Sequence, residues 1–289
     1  MRITCKVFTC LLPAVIFFAG CDKDEDGGPE QNADFSGKSV KSLEISTTSE
    51  NNESEKATFE FRYDNLGRIS DLLFKLYYSY SGQEDLLAIS YDFRYSYSAG
   101  KVDVDAFSDI GENGMLDAPV QVMKLEASLD DKGRVVVAGY TEAFEDGKQT
   151  SDELVQTYYT YDLSGRLVSS GHMEDGEILT DRSYVWESGN LSKVNTSDGE
   201  EIQKYCYTST NDNSRIDFNC LLSDFDYERT ILQIAGLMGE RSSDYALPTE
   251  WCDVVSPDAY SLETDADGDL VRLTGKDSGQ SVTVSVEYQ

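Results

Sequence analysis

The chain has 289 residues but only one histidine, His172, and only 5 prolines. A single imidazole excludes a multi-histidine zinc site or proton relay, and His172, beside Glu174 and Asp175, is expected to flank an exposed turn. The sequence also has no glycine-rich phosphate loop, no Gly-x-Ser-x-Gly elbow and no His-Glu-x-x-His pattern. Nucleotide binding and serine hydrolysis are therefore disfavoured, and we predict no catalytic residue, no metal and no cofactor.

Basic residues are also scarce. The 24 Lys and Arg residues face 54 Asp and Glu residues, so the formal net charge is -30, and it becomes -32 once Arg2 and Lys6 leave with a leader sequence. Such a charge repels phosphate backbones and anionic membrane surfaces. We therefore expect no nucleic-acid partner, and the acidity is typical of a soluble extracellular protein.

The first 21 residues have the pattern of an export signal. Arg2 and Lys6 accompany an apolar run over residues 7–18, which is too short to span a membrane as a helix. The stretch Phe17-Phe18-Ala19-Gly20-Cys21 resembles a bacterial lipobox, in which the signal is cut before the cysteine and the cysteine is acylated. We therefore expect residues 1–21 to be a lipoprotein signal peptide, with a palmitate on Cys21 that inserts into outer-membrane lipid.

Residues 22–38 are dense in charge and poor in apolar side chains, which predicts an acidic, disordered tether. The cluster Asp22–Asp26, directly after the lipidated cysteine, resembles a surface-export signal of certain gut-dwelling Gram-negative bacteria. In enteric bacteria, Asp22 alone would instead indicate retention at the inner membrane. We expect the protein to be lipid-anchored to the outer membrane and to face the cell exterior.

One short phrase recurs along the rest of the chain. In Tyr63–Ile69 an aromatic residue ends one alternating run, Asp64 and Gly67 bracket a turn, and a β-branched residue begins the next run. The aspartate side chain can cap the turn amides and the glycine can take a positive φ, which is typical of a β-hairpin. The predicted structural turns contain Asp64, Gly67, Gly100, Asp130, Gly133, Asp162, Gly165, Gly189, Asp265 and Gly268.

The turn glycines are nearly evenly spaced. From Gly67 through Gly100, Gly133 and Gly165 to Gly189, the steps are 33, 33, 32 and 24 residues, which indicates repeated supersecondary units. A second set of turn signals alternates with them, so the strands run up and down beside their sequence neighbours. We therefore predict a mainly all-β fold, a long up-and-down antiparallel meander over residues 39–289 that is either an open sheet or barrel-like.

One segment breaks the period-two pattern. From about Asp224 to Met238 the apolar side chains fall three or four residues apart, which predicts one short helix over residues 224–238. Asp224 or Asp226 is available as its N-cap and Gly239 as its C-cap. Because a sheet with one apolar face must bury that face, we expect the helix to plug an end of the sheet or to cover one side.

The turns and the segment around this helix also carry a family resemblance. The Asp-x-x-Gly-Arg phrases resemble those of the YD-repeat group. Residues 40–289, including Ile231–Pro248, resemble more closely a family of gut-bacterial surface lipoproteins of unknown function. The resemblance implies a long antiparallel β-meander with a porin-like arrangement and a location at the cell surface. It implies no activity and no catalytic residues.

Three cysteines remain after the lipidated one: Cys206, Cys220 and Cys252. They allow one disulfide and leave one thiol over. Cys206 and Cys220 lie on predicted strands joined by residues 208–214, so we predict that they form the disulfide. A symmetric pairing about that turn would place Cys206 nearer Asp217, so an offset register, or Cys252 as the alternative partner, stays open.

Residues 263–269 superficially resemble a calcium loop. However, Glu263 replaces the leading aspartate, and Thr274 stands where a bidentate glutamate should lie. Asp265–Leu270 instead matches the frame of Asp64–Ile69, so we predict a structural turn without a metal.

The functional hypotheses follow from these features. Trp186 and Trp251 could stack on sugar rings, although aromatics at period two more often lie in a core. We favour a non-catalytic surface module that binds or scaffolds a glycan or a protein. The alternative is a surface polysaccharide hydrolase that uses two acidic side chains, whose spacing the sequence does not show. A membrane barrel also fits period-two alternation, but the charge, the helix and the lipid anchor disfavour it.

Overall fold

The computed structural model describes residues 38–51, 53–80, 85–111, 114–141, 144–145, 148–149, 155–212, 214, 216–222, 227–247, 252, 260–277 and 280–289. The predicted signal peptide with Cys21, residues 22–37 of the predicted tether, and both predicted helix N-caps lie outside the described residues.

The described residues form nineteen strands and two short helical segments. The strands are β1 (Val40–Thr48), β2 (Ser54–Tyr63), β3 (Ile69–Ser79), β4 (Leu86–Ser98), β5 (Lys101–Gly111), β6 (Gly114–Leu129), β7 (Val135–Thr141), β8 (Phe144–Glu145), β9 (Lys148–Gln149), β10 (Val155–Tyr161), β11 (Leu167–Glu174), β12 (Glu177–Glu187), β13 (Asn190–Thr196), β14 (Glu201–Lys204), β15 (Tyr207–Asn211), β16 (Asp244–Ala246), β17 (Tyr260–Thr264), β18 (Leu270–Asp277) and β19 (Gln280–Tyr288). A 3₁₀ turn covers Phe218–Leu222, and helix α1 covers Tyr227–Ile234.

Fifteen of the strands form one antiparallel sheet. From β1 to β14 the sheet order follows the chain, except that the hairpin β8–β9 stands apart and β10 pairs with β7. Within the described part of the chain the sheet is open, with β14 and β17 at its edges. The predicted up-and-down antiparallel meander is confirmed, and of the two predicted forms the open sheet is the one observed.

The last three strands, β17, β18 and β19, extend the sheet beyond β1, at the opposite edge from β14. Strand β19 pairs with β1, where Val284 lies opposite Ile45, and with β18, where Val284 lies opposite Leu273. Both Val284 and Leu273 are fully buried. The chain therefore brings its C-terminal strands back to its first strand, a pairing that local sequence patterns do not contain.

The Asp-x-x-Gly turns share one backbone conformation. At the first, Asp64 N donates to Arg68 O at 2.8 Å and Gly67 N donates to Asp64 O at 3.0 Å. Asp64 Oδ1 accepts hydrogen bonds from the backbone N of Leu66 and of Arg68, each at 2.9 Å. Gly67 has a φ of 79°, in the left-handed region that favours glycine. The same two backbone bonds occur in the turns that begin at Asp130, Asp162 and Asp265.

Two copies of the phrase turn in a different way. Ser98 pairs directly with Lys101, and Glu187 pairs directly with Asn190, so each pair is joined by a two-residue loop that ends in glycine. Gly100 and Gly189 still have positive φ values of 68° and 88°. The glycine is therefore common to both loop lengths, whereas aspartate occurs in the longer loop, where its carboxylate caps the amides.

Several aromatic residues near strand ends link one repeat to an earlier one. Tyr97 Oη donates to Ile69 O at 2.9 Å, and Tyr161 Oη donates to Val135 O at 2.7 Å. Each acceptor lies at the start of an earlier strand. Four similar bonds, all of 2.8 Å, join Tyr63 to Val40, Trp186 Nε1 to Leu167, Tyr207 to Leu191 and Tyr288 to Leu270. A ring with a polar tip therefore recurs because it holds neighbouring repeats in register.

The arginines of the turns contact the same aromatic rings. The guanidinium carbon lies 4.2 Å from the ring centre in the pair Arg68–Tyr97, 4.5 Å in Arg134–Tyr161 and 5.6 Å in Arg166–Trp186. In each pair the ring belongs to a later repeat than the arginine. Such cation–π contacts contribute roughly 0.5–2 kcal/mol each, so these arginines have a structural role between repeats.

We predict that Tyr161→Phe destabilises the protein by about 1–2 kcal/mol, because Val135 O loses its hydroxyl donor in a partly buried position. The matched control is Tyr158→Phe, whose hydroxyl donates to the exposed side chain of Gln156 at 3.2 Å. We expect this control to change stability by less than about 0.5 kcal/mol. Urea unfolding of both variants measures the difference, and equal effects would contradict the linking role.

The helical segment covers the inner face of the sheet near the Asp-x-x-Gly turns. In α1, the side chains of Ile231, Leu232 and Ile234 are at most 1% exposed. Tyr95 Oη from β4 donates to Ile231 O at 3.1 Å. The expected burial of the sheet's apolar face by a helix is thus observed, and it occurs at the turn end.

Helix α1 is shorter than predicted and ends at a different glycine. It stops at Ile234, where Gly236 N donates to Gln233 O at 2.9 Å and Leu237 N donates to Leu232 O at 3.0 Å. This pair of bonds, with a φ of 73° at Gly236, is a Schellman motif. The prediction of Gly239 as the C-cap is therefore wrong, because the earlier glycine already reverses the chain.

Candidate ligand-binding cleft

A cleft of about 390 Å³ lies at the turn end of the sheet, beside α1. One wall consists of the turns that contain Gly133 and Gly165. A second consists of strand residues that include Tyr184 and Trp186, and the third consists of α1 and residues 236–242. The cleft therefore combines the repeat turns with the one segment that interrupts the repeats.

The segment after α1 runs across the ends of successive repeats and so closes one side of the cleft. Its backbone is attached by three hydrogen bonds, from Val135 N to Leu237 O (2.8 Å), from Glu240 N to Gly165 O (2.9 Å) and from Ser243 N to Gly189 O (3.2 Å). Gly239 allows the closest approach, because a Cβ there would lie 2.2 Å from Gly165 O.

Arg134 presents a fixed guanidinium group at the wall of the cleft. Its Nε and Nη2 donate to Asp130 Oδ2 at 2.8 and 2.6 Å, and its plane lies over Tyr161. Burial alone would raise the pKa of Asp130, but hydrogen bonds from Arg134 outweigh this and lower it. Nη1 is buried and has no hydrogen-bond partner, so it is a donor that the described residues do not use.

Asp217 supplies a buried carboxyl group to the cleft. Its side chain is 2% exposed, and Oδ2 accepts a hydrogen bond from Gln233 Nε2 at 2.8 Å. Oδ1 is buried and has no hydrogen-bond partner. Burial raises the pKa of Asp217 above its usual value. A ligand hydroxyl or an ordered water is the type of group that would satisfy this oxygen.

A buried network behind the cleft supports Asp217. Arg241 Nη1 donates to Ser214 O at 2.5 Å and to Ile216 O at 3.2 Å, and its Nη2 donates to Asp212 O at 3.2 Å. Burial raises the pKa of Asp212 to about 7, although Arg241 acts in the opposite direction. The arginine thus holds the chain around residues 212–217 by its carbonyl groups.

Two aromatic rings line the strand side of the cleft. Trp186 is half-buried, with Nε1 bonded to Leu167 O at 2.8 Å and Arg166 beside its ring. Tyr184 is 6% exposed, and its hydroxyl lies 3.1 Å from Ser170 Oγ. The predicted sugar-stacking role for Trp186 is compatible with this position, and Trp251 lies outside the described residues.

The structure brings only some of the predicted turn residues to the cleft. Gly133 and Gly165 line it, whereas Gly67, Gly100 and Gly268 mark turns elsewhere at the same end of the sheet. Sequence reasoning missed the polar side chains Asp217, Arg229, Gln233 and Arg241. Their only sequence signal was the break in strand periodicity around the helix.

The predicted pairing of Cys206 with Cys220 is wrong, and the alternative partner Cys252 is the one observed. Cys206 is bonded to Cys252, with the Cα atoms 5.2 Å apart. Cys220 lies outside the bridge on the 3₁₀ turn, where its buried thiol donates to Asp217 O at 3.0 Å. Residues 218–222 turn inward as a helical segment rather than continuing as a strand, which carries Cys220 away from Cys206.

The calcium-like residues form a compact acidic group around a lysine. The carboxylates of Asp265, Asp267 and Asp269 lie within 4.8 Å of one another. Lys38 Nζ lies 2.6 Å from Asp265 and 3.5 Å from Asp269, and it also contacts Asp267. The hydrogen bond from Lys38 lowers the pKa of Asp265. The protein's own ammonium group therefore contacts all three carboxylates of this turn, which has the backbone of the other Asp-x-x-Gly turns.

His172 lies apart from the cleft, near the opposite end of the sheet. Its ring Nδ1 is 2.9 Å from Asp181 Oδ2, and both side chains are about half exposed. The hydrogen bond to Asp181 raises the pKa of His172. It stands three residues before the positive-φ pair Asp175 and Gly176, as expected for a residue near a turn.

Comparison with known proteins shows a similar fold. No protein-family model matches the chain, and no curated protein matches it. The structure is similar to that of a porin-like protein from Bacteroides uniformis ATCC 8492, with a TM-score of 0.53 and 12% identity. The match covers 86% of this chain and 98% of that chain. The expectation of a porin-like antiparallel meander is confirmed at the level of the fold.

The described helices of this protein are short. Among the residues that the structure describes, no helix is both long enough and apolar enough to cross a membrane.

Proposed function

We propose that this protein is a non-catalytic binding module, held at the outside of the outer membrane by a lipid on Cys21, and that it binds a glycan in the cleft beside α1. The observation that carries the proposal is the composition of the cleft. Trp186 offers an aromatic ring face. Asp217 Oδ1 is a buried acceptor and Arg134 Nη1 is a buried donor, and neither atom has a hydrogen-bond partner among the described residues.

A saccharide matches this combination of groups. Adjacent hydroxyls both donate and accept hydrogen bonds, as Asp217 and Arg134 require, and the C–H face of a pyranose packs on aromatic rings. The volume of about 390 Å³ is within the range of small-ligand sites. Proteins bind each other through larger surfaces. The sequence suggests either a glycan or a protein as partner, and the cleft therefore favours the glycan.

The residues that precede the folded part of the chain support the proposed location. The lipobox-like stretch ends at Cys21, and the acidic cluster Asp22–Asp26 follows it directly. The structural similarity to a porin-like protein of Bacteroides is compatible with an envelope protein from a gut bacterium. Protease treatment of intact cells tests the location, and survival of the protein would contradict a surface position.

A polysaccharide hydrolase is the second candidate. It is favoured by one observation, that the carboxyl groups of Asp217 and Glu240 both line the cleft. Glu240 is exposed, whereas burial raises the pKa of Asp217, which is the direction that suits a general acid.

One experiment separates the two candidates. The purified full chain is screened on a glycan array, and affinities for the best glycans are measured by calorimetry for wild type, Asp217→Asn and the control Asp117→Asn, an exposed acid outside the cleft lining. For a binding module we expect intact glycan and an affinity about tenfold lower for Asp217→Asn alone, because a buried hydrogen-bond acceptor is altered. Glycan cleavage that Asp217→Asn abolishes would identify a hydrolase, and a screen without any ligand would reject the proposed function.

A further inference from the structure

We infer that the cleft selects glycans that carry an anionic group, either a carboxylate or a sulfate ester, and that this group binds at the β6–β7 turn beside Lys132 and Arg134. The inference rests on the proposed glycan-binding function and narrows its ligand class.

The side chains that line the cleft include more cations than acids, unlike the whole chain. Overall, 54 acidic residues face 24 basic ones. Among the side chains that line the cleft the order is reversed, with the cations Lys132, Arg134, Arg229 and Arg241 and the acids Asp217 and Glu240. Because Arg134 is paired with Asp130, the described ion pairs leave Lys132 as the unpaired cation of this turn, and an exposed cation attracts an anion locally.

The two cations of the β6–β7 turn are held differently. Arg134 is fixed by two hydrogen bonds to Asp130 Oδ2 and by the ring of Tyr161, which leaves Nη1 as its unused donor. Lys132 is exposed on the same turn, with its backbone N anchored to Asp130 Oδ1 at 3.0 Å. A fixed guanidinium beside an exposed ammonium offers two cationic donors to an oxyanion.

Glu240 occupies the position next to this donor. A Cβ placed on Gly165 would lie 3.6 Å from Arg134 Nη1, 3.3 Å from Glu240 Cγ and 3.7 Å from Glu240 Oε1. The two side chains therefore border the same small space, yet the ion pairs of the described residues do not include one between them. Glu240 is exposed, so its carboxylate can swing away when an anionic ligand group enters.

Asp217 is a second polar group of the cleft that a sugar can use. It is 2% exposed, and its carboxyl group accepts a hydrogen bond from Gln233. Burial raises the pKa of Asp217 above its usual value. Its open Oδ1 is suited to a hydroxyl of the same sugar, so the cleft has separate positions for an anionic group and for a neutral donor.

The test compares matched neutral and anionic glycans by calorimetry on the full chain, at an ionic strength of about 0.15 M. One pair is oligogalacturonate and its fully methyl-esterified form, and the other is dextran sulfate and dextran. We expect the anionic member of at least one pair to bind about tenfold more tightly than its neutral partner. We also expect Lys132→Gln to weaken that binding by about three- to tenfold and Glu240→Gln to strengthen it. The control Lys101→Gln, which makes the same charge change on an exposed lysine outside the cleft lining, should leave it unchanged.

Each outcome decides the inference. If a neutral glycan binds as tightly as its anionic partner, or if Lys132→Gln and Lys101→Gln behave alike, the anionic class is wrong while the glycan-binding function stands. If none of these glycans and none in the wider screen binds, the proposed function itself fails and the inference fails with it. Opposite effects of Lys132→Gln and Glu240→Gln would establish the site.

Discussion

Replacement of Gly239 by alanine is expected to lower the free energy of unfolding by about 3–5 kcal/mol and to disrupt the cleft. Gly239 has a φ of 80°, and a Cβ at this position would lie 2.2 Å from Gly165 O and 3.0 Å from the ring of Tyr161. Neither the backbone carbonyl nor the ring, which is held by its hydroxyl, can move without breaking the contact between repeats. The segment after α1 must therefore lift away from the turn.

Gly199→Ala is the matched control for this prediction. Gly199 also has a positive φ, of 87°, but no atom lies within 4 Å of the Cβ that alanine would add. We expect it to cost only the conformational strain, about 1–2 kcal/mol. Denaturant unfolding gives both values, and glycan binding gives an independent measure of the cleft. Similar losses in the two variants would show that close packing at Gly239 is not important.

Removal of the disulfide in the double variant Cys206→Ser and Cys252→Ser is expected to destabilise the protein by about 4 kcal/mol. The bridge spans 46 residues, and closing a loop of that size in the unfolded chain corresponds to roughly this free energy. The closed loop contains α1 and the segment that borders the cleft. The loss should therefore affect both the overall stability and the affinity of the cleft.

Treatment of the wild-type protein with a reductant should reproduce the stability of the double variant and have no further effect on that variant. Peptide mapping without reduction tests the pairing itself, because it should recover Cys206 joined to Cys252. A peptide that joins Cys206 to Cys220 would contradict the structure. Cys220 is 3% exposed, so it should also react slowly with thiol reagents until the protein unfolds.

The helical segment shows where sequence reasoning was partly successful. Apolar spacing correctly predicted one helix in the last third of the chain and its burial against the sheet. The predicted C-terminal end of the helix is wrong because the sequence offers two glycines, Gly236 and Gly239, as possible C-caps. Both have positive φ. Only the contact with Gly165 shows that Gly239 serves close packing instead of capping.

The cleft itself was not predictable in this way. Arg134 stands at the arginine position of a repeated Asp-x-x-Gly-Arg turn, which the sequence shows. Its contacts with the ring of Tyr161 and its proximity to Glu240 depend on residues 27 or more positions away. Asp217 was considered only as a possible neighbour of Cys206. Its role as a buried carboxyl arises because residues 216–222 fold inward, where Gln233 bonds to it and Arg241 lies nearby.

The sequence by itself determined the features that depend on a few consecutive residues: the alternating strands, the Asp-x-x-Gly turns and the presence of one helix. An aspartate that bonds amides two and four residues later, and a glycine with positive φ, form these turns wherever they occur. Tertiary structure alone decided that β19 joins β1, that Cys206 joins Cys252 and that the sheet stays open. The same holds for the cleft, because each of these features requires groups far apart in the chain to meet, and their energies depend on packing that no local pattern encodes.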